Sequence, residues 1–345
     1  MLRHVRSEWE HFWLVGERGY SGLAGQLSKL AVSPRRNAGA KLGMLGCITA
    51  PPSSSQNAAG SPKSDHVKTI TALSLLAALA LGTPASAQDA AVSPWSKAAY
   101  SSMRLIAGAT APSGKQRVGV EITMAQGFKT YWRSPGDAGV PPVFDWSGSE
   151  NVGGLDVRWP TPERFEDGAG SGIGYVGEVV VPVSVQPIDP ARPVTVVLKL
   201  DYAVCDKICV PAKGEARLWL EPGVTSVSSP RLEQFEARIP HAVKLGAADD
   251  RLSILEVTHS DAAVKLLLKA PEGGSVDDVF VEGAGMWSFG RPMLMPQPDG
   301  TVTAKLKIVE RPKSATGPTP LIITVRGKPQ SVETRLELDI GRAKP

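Results

Sequence analysis

Apolar and polar positions alternate with a period of two through most of the chain beyond residue 100. In Arg117-Val-Gly-Val-Glu-Ile-Thr-Met124, the residues Val118, Val120, Ile122 and Met124 fall on one face, as a half-buried strand requires. Tyr100 to Gly108, the short aromatic run after Gly127, Val143–Trp146, Leu155–Trp159, Gly177–Val185 and Pro193–Val204 read as further strands. Pro160–Gly177, with five glycines, reads as a long loop, and its Gly168–Gly174 stretch as a flexible lid. Glu221–Asp250 changes character: Ser and Gly precede a predicted short helix over Pro230–Ile239 with a Ser cap. A second β pattern then runs from Leu252 to Leu338. Many short strands punctuated by Gly and Pro predict an all-β chain with two antiparallel β-sandwiches, at 95–222 and 251–341, joined by a linker at 223–250.

The N-terminal segment has a different pattern. Lys68 precedes an apolar core from Ile70 to Leu81, too short for a comfortable membrane span. Ala85-Ser-Ala87 follows as a small-residue cleavage site. Residues 67–87 therefore read as a signal peptide cleaved before Gln88, and residues 1–66 as a non-native or disordered extension starting upstream of the true initiator at Val67. Export to the periplasm follows. Residues 1–87 hold nine Lys/Arg and four Asp/Glu, leaving 29 basic against 30 acidic residues in the remainder. The formal charge of +4 is thus a property of the leader, and nucleic acid is excluded as a partner.

Of three cysteines, Cys47 lies in the leader. Cys205 and Cys209 remain, at the end of one strand-like run and the start of the next. A three-residue turn between them brings their Cα atoms within disulfide reach. So short a loop is worth only about 2 kcal/mol, against about 4.7 for a 100-residue loop. A bond that stabilises so little is better explained as one that opens and closes, although a static disulfide pinning a hairpin is the simpler alternative. Within the turn, Lys207 favours a thiolate and Asp206 opposes it.

Four motifs occur in order: Tyr131-Trp-Arg-Ser-Pro-Gly-Asp-Ala-Gly-Val-Pro-Pro142, Arg158-Trp-Pro-Thr-Pro162, Gly174-Tyr-Val-Gly-Glu-Val-Val-Val-Pro-Val183 and the Cys205/Cys209 run. Together they resemble the periplasmic N-terminal domain of the thiol:disulfide interchange protein DsbD, most of all in its ScsB-type version, linked to suppression of copper sensitivity. The resemblance implies an immunoglobulin-like domain in which Cys205 and Cys209 form a redox pair and act as a protein-disulfide reductase. It also implies a mobile cap loop at Gly174-Tyr175-Val-Gly177, with Tyr175 as the cap and Tyr131 lining the site. Electrons would pass from a membrane-embedded thiol carrier to oxidised envelope proteins. No long apolar span follows Gln88, so that carrier is expected on a separate polypeptide. No cofactor and no bound metal are implied.

Two other classes compete. Thiolates and thioethers suit Cu(I), and Met286, Met293 and Met295 stand near one another in sequence, so a copper-binding or copper-tolerance role is the first alternative. Packing around Trp287 and Phe289 explains the same methionines. The second alternative is a β-sandwich interaction module with a structural disulfide. Arg133 and Asp137 are expected to pair across their Gly-Pro loop, and Glu163, Glu166 and Asp167 to be solvated loop charges.

Overall fold

Period-two burial carries through most strands of the computed structural model, which describes residues 92–136, 139–167, 170–222, 229–248, 250–285, 287–312 and 317–340. The signal peptide and the extension expected before it lie outside the described residues.

The first sandwich packs two sheets face to face. One has the order β1 (Ser96–Ala98), β2 (Ser101–Ala107), β3 (Gln116–Met124), β9 (Glu178–Pro187) and β6 (Val152–Val157). The other runs β11 (Cys209–Leu220), β10 (Val194–Cys205), β4 (Lys129–Gly136), β8 (Gly170–Val176) and β7 (Glu163–Asp167), with β5 (Val143–Asp145) also pairing β10. Met103, Leu105, Val118 and Val120 from one sheet meet Val196, Leu198 and Leu200 from the other in a common core.

The second sandwich has the orders β12 (His241–Ala242), β20 (Val332–Leu338), β19 (Thr319–Lys328), β15 (Ser275–Gly283) and β13 (Ser253–Ser260), β14 (Ala263–Lys269), β18 (Thr301–Glu310), β16 (Ser288–Phe289). β17 (Met293–Pro296) adds to β18. Its core holds Ile254, Val264, Leu266, Val279, Val281 and Ile323. Every strand pair is antiparallel except β12–β20 among the described residues. The all-β architecture of antiparallel sandwiches expected from the alternation is what the chain adopts, with the immunoglobulin-like layout that the resemblance implied.

Two stretches differ from expectation. The glycine-rich segment at 160–177 is no loop: β7 and β8 form a hairpin from Glu163 opposite Gly174 to Asp167 opposite Gly170. Glycine has low strand propensity, which hid the pairing. The helix α1, Pro230–Glu236, begins at Ser229, whose side chain accepts a hydrogen bond from the Leu232 amide. It is no free linker element, because Leu232 and Phe235 are buried with the first core. The helix lies where Gly119 leaves room: a Cβ there would come within 3.1 Å of Leu232 and closer still to Val180 and Ile106. This cover explains the near-continuous apolar run of β9, which is buried on both faces.

No helix among the described residues is long and apolar enough to cross a membrane.

Candidate functional site

β10 and β11 form an antiparallel ladder that ends with Cys205 directly opposite Cys209. Asp206, Lys207 and Ile208 make the turn, closed by the Asp206 amide donating to the Ile208 carbonyl at 3.3 Å. The two cysteines are joined as a disulfide, with Cα atoms 4.1 Å apart. Strand parity decides where they point. Leu198, Leu200, Tyr202 and Val204 face the core, so Ala203 and Cys205 face outward. They do not meet water: Cys205 is only 1% exposed, whereas Cys209 is exposed and the neighbouring Ile208 is 70% exposed.

Tyr131 and Phe165 cover Cys205. Tyr131, on β4, forms a small outer cluster with Ala203 and Cys205, and Phe165 packs against it from β7. The Tyr131 hydroxyl donates to Cys205 Sγ at 3.0 Å and lies 3.3 Å from Cys209 Sγ, so one O–H spans both sulfurs. The Phe165 ring lies tilted at 6.0 Å from the Tyr131 ring. Glycines make this arrangement fit. A Cβ on Gly172, which pairs with Phe165, would come within 2.3 Å of that ring. A Cβ on Gly139 would lie 2.7 Å from the Tyr131 ring, and one on Gly174 would strike the Thr130 carbonyl.

Lys129 pairs with Cys205 across the β4–β10 ladder and reaches Asp206 at 3.9 Å. Its ammonium also lies 5.8 Å from the Phe165 ring.

The remaining predicted residues separate. Tyr131 and Gly174 stand opposite one another on β4 and β8, beside the disulfide. Gly177 (φ +74°) turns the chain from β8 into β9 and donates to the Phe128 carbonyl. Tyr175, expected as the cap, has its ring in the main core and its hydroxyl donating to the Pro160 carbonyl at 2.8 Å. Burial pushes its phenol far above the ordinary range. The aromatic that packs on the Tyr131–Ala203–Cys205 cluster from β7 is Phe165, which sequence reasoning passed over. Its signal was a lone aromatic in Glu163-Arg-Phe-Glu-Asp167, facing a segment of glycines.

The Arg133 guanidinium bonds Glu282 and Glu333 of the second sandwich, each at 2.7 Å. Asp137 lies outside the described residues. Burial works against the Arg133 charge, but the two carboxylates outweigh it and hold the group firmly protonated. Burial pushes the Glu282 carboxyl up from the ordinary range.

Among the described residues no cluster of three or more His, Cys, Asp or Glu side chains is arranged to hold a metal. Met286 lies outside them, Met293 is 62% exposed on β17, and Trp287 stacks on Phe289 at 6.0 Å.

Residues 102–220 match the family model described as thiol:disulfide interchange protein DsbD, N-terminal. The N-terminal periplasmic domain of ScsB from Proteus mirabilis is similar in structure, with a TM-score of 0.54 and 20% identity, covering 72% of this chain and 98% of that one. A marsupial T cell receptor aligns over 72% of this chain and 98% of its own at 12% identity, but with a TM-score of 0.17. No curated protein matches the chain.

Proposed function

We propose, from a first sandwich of the DsbD N-terminal type, that this protein is an envelope thiol-disulfide exchange protein working through Cys205 and Cys209. One observation carries the reading: a disulfide closed over a three-residue turn, with one sulfur exposed and the other sealed beneath Tyr131.

Exchange proceeds by in-line thiolate attack on a disulfide sulfur. The exposed Cys209 is the sulfur an incoming thiolate reaches. As the new S–S bond forms to Cys209, the old one breaks and Cys205 leaves with the electron pair. The Tyr131 hydroxyl already donates to Cys205 Sγ, so the charge develops at a hydrogen-bond donor. The donor's second thiol then resolves the mixed disulfide, leaving both cysteines reduced and the donor oxidised. In the second half-reaction Cys209 attacks an oxidised partner and Cys205 resolves, returning two electrons. No cofactor is needed. The donor we infer is a membrane-embedded thiol carrier on another polypeptide, and the acceptors are oxidised periplasmic proteins. Phe165 covers Cys205 between these encounters.

A redox titration of the pair tests this. Exchange activity requires a potential above about −300 mV, whereas a structural bond lies below it. A value well below that limit, with no reduction by any dithiol partner, would leave only a static disulfide.

A further inference from the structure

The second sandwich reaches back to the strand that covers Cys205. β7 uses its two faces differently. Phe165 packs on the Tyr131–Cys205 cluster. Its neighbours Arg164 and Glu166 point to the other sandwich, where Arg164 meets Asp278 at 3.2 Å and Glu166 meets Arg291 at 3.5 Å. Glu163, at the start of the strand, reaches Arg326 at 4.0 Å.

These contacts differ in weight. The Glu166–Arg291 and Glu163–Arg326 pairs are well exposed and contribute little. Arg164 and Asp278 have side chains only 8% and 15% exposed. Two donors of Arg164 face the Asp278 carboxylate, one of whose oxygens also accepts from the Val279 amide. The guanidinium lies 5.2 Å from the Phe280 ring, which meets Trp132 edge-on. Asp278, Phe280 and Glu282 alternate along β15, so one face of that strand presents acid, aromatic and acid to Arg164, Trp132 and Arg133. Val279 and Val281, on its other face, anchor it in the second core.

We propose that the second sandwich sets the closed position of the cover: Asp278 holds Arg164, and Arg164 in turn holds Phe165 over Cys205. Arg164 and Asp278 are then positioning residues for the exchange site, acting through the ring between them and the sulfur. This rests on the exchange reading for its purpose. Its test needs no exchange partner, so the two can fail separately.

The readout is alkylation of the Cys205 thiol by iodoacetamide, in the whole chain carrying Cys209→Ser. Phe165→Ala sets the rate for a thiol that keeps Tyr131 but has lost the Phe165 ring. Arg164→Gln is expected to raise the rate several-fold towards that limit, Arg164→Lys to return it towards the parent, and Arg164→Gln to add nothing once Phe165 is Ala. Asp278→Asn, which leaves the first sandwich's own sequence intact, is expected to match Arg164→Gln and serves if that variant does not fold. Rates unchanged by Arg164→Gln or Asp278→Asn in folded protein would overturn the proposal. So would an Arg164→Gln effect that multiplies undiminished onto Phe165→Ala.

Discussion

The hydroxyl of Tyr131 lies 3.0 Å from Cys205 Sγ, on the side of the sheet turned away from the main core. The bond joins β4 to the end of β10, so the donor is fixed by strand pairing and not by a mobile loop. A rigid donor at the leaving sulfur favours the thiolate over the thiol.

Tyr131→Phe removes that donor with little change of shape. The Cys205 thiol in the reduced protein is then expected to titrate higher, since the charged form loses its partner. Exchange should slow about tenfold, equivalent to about 1.4 kcal/mol. Thiolate absorbance against pH, together with stopped-flow reduction by a dithiol, measures both.

The two cysteines should behave unequally when separated. Cys205→Ser leaves the exposed sulfur without a resolving partner, so mixed disulfides through Cys209 should accumulate. Cys209→Ser leaves only the sealed thiol and should trap far less. Non-reducing electrophoresis of each variant after mixing with an oxidised dithiol protein reads the difference. Both should lose only about 2 kcal/mol of stability, the worth of so short a loop.

Gly172→Val puts a side chain where the Phe165 ring now lies, since even a Cβ would be 2.3 Å from it. Either the ring or the β7–β8 hairpin must move. A cost of about 1–3 kcal/mol is expected. Faster hydrogen exchange confined to β7 and β8 would show where the structure yields.

Arg133→Gln strands Glu282 and leaves Glu333 with Arg335 at 3.6 Å and the Thr324 hydroxyl. Breaking such a buried group costs about 3–5 kcal/mol. The loss should depend on pH. Burial already raises the Glu282 carboxyl, and without Arg133 it rises further. An acid whose folded-state pKa lies above its unfolded value binds extra protons when folded, so the variant should be most stable in acid. Its stability should fall as pH rises from the ordinary carboxylate range through the raised value. Denaturant melts at pH 4.5 and pH 7.5 should show the deficit from the parent growing with pH.

The fold was legible because strand burial has a period of two. Val118, Val120 and Ile122 announce their face in any register, and Ser229 announces a helix start. The β7–β8 hairpin was not legible, because glycines at 170, 172 and 174 carry no alternation and have low strand propensity. Gly172 admits the Phe165 ring and Gly174 the close approach of β4.

From the chain alone came the all-β class, the pairing of Cys205 with Cys209 across a tight turn, and Tyr131 as a neighbour of the site. The first two rest on local spacing and on periodicity, which each segment carries within itself, and the third on the resemblance to the DsbD N-terminal domain. The folded molecule alone decided that Cys205 is sealed while Cys209 is open, that Phe165 and not Tyr175 packs on the Tyr131–Cys205 cluster, and that Arg133 and Arg164 bind acids more than 100 residues away. Those outcomes depend on which strands become neighbours and which faces two sandwiches turn to one another. Long-range packing sets such relations, and no window of adjacent residues contains them.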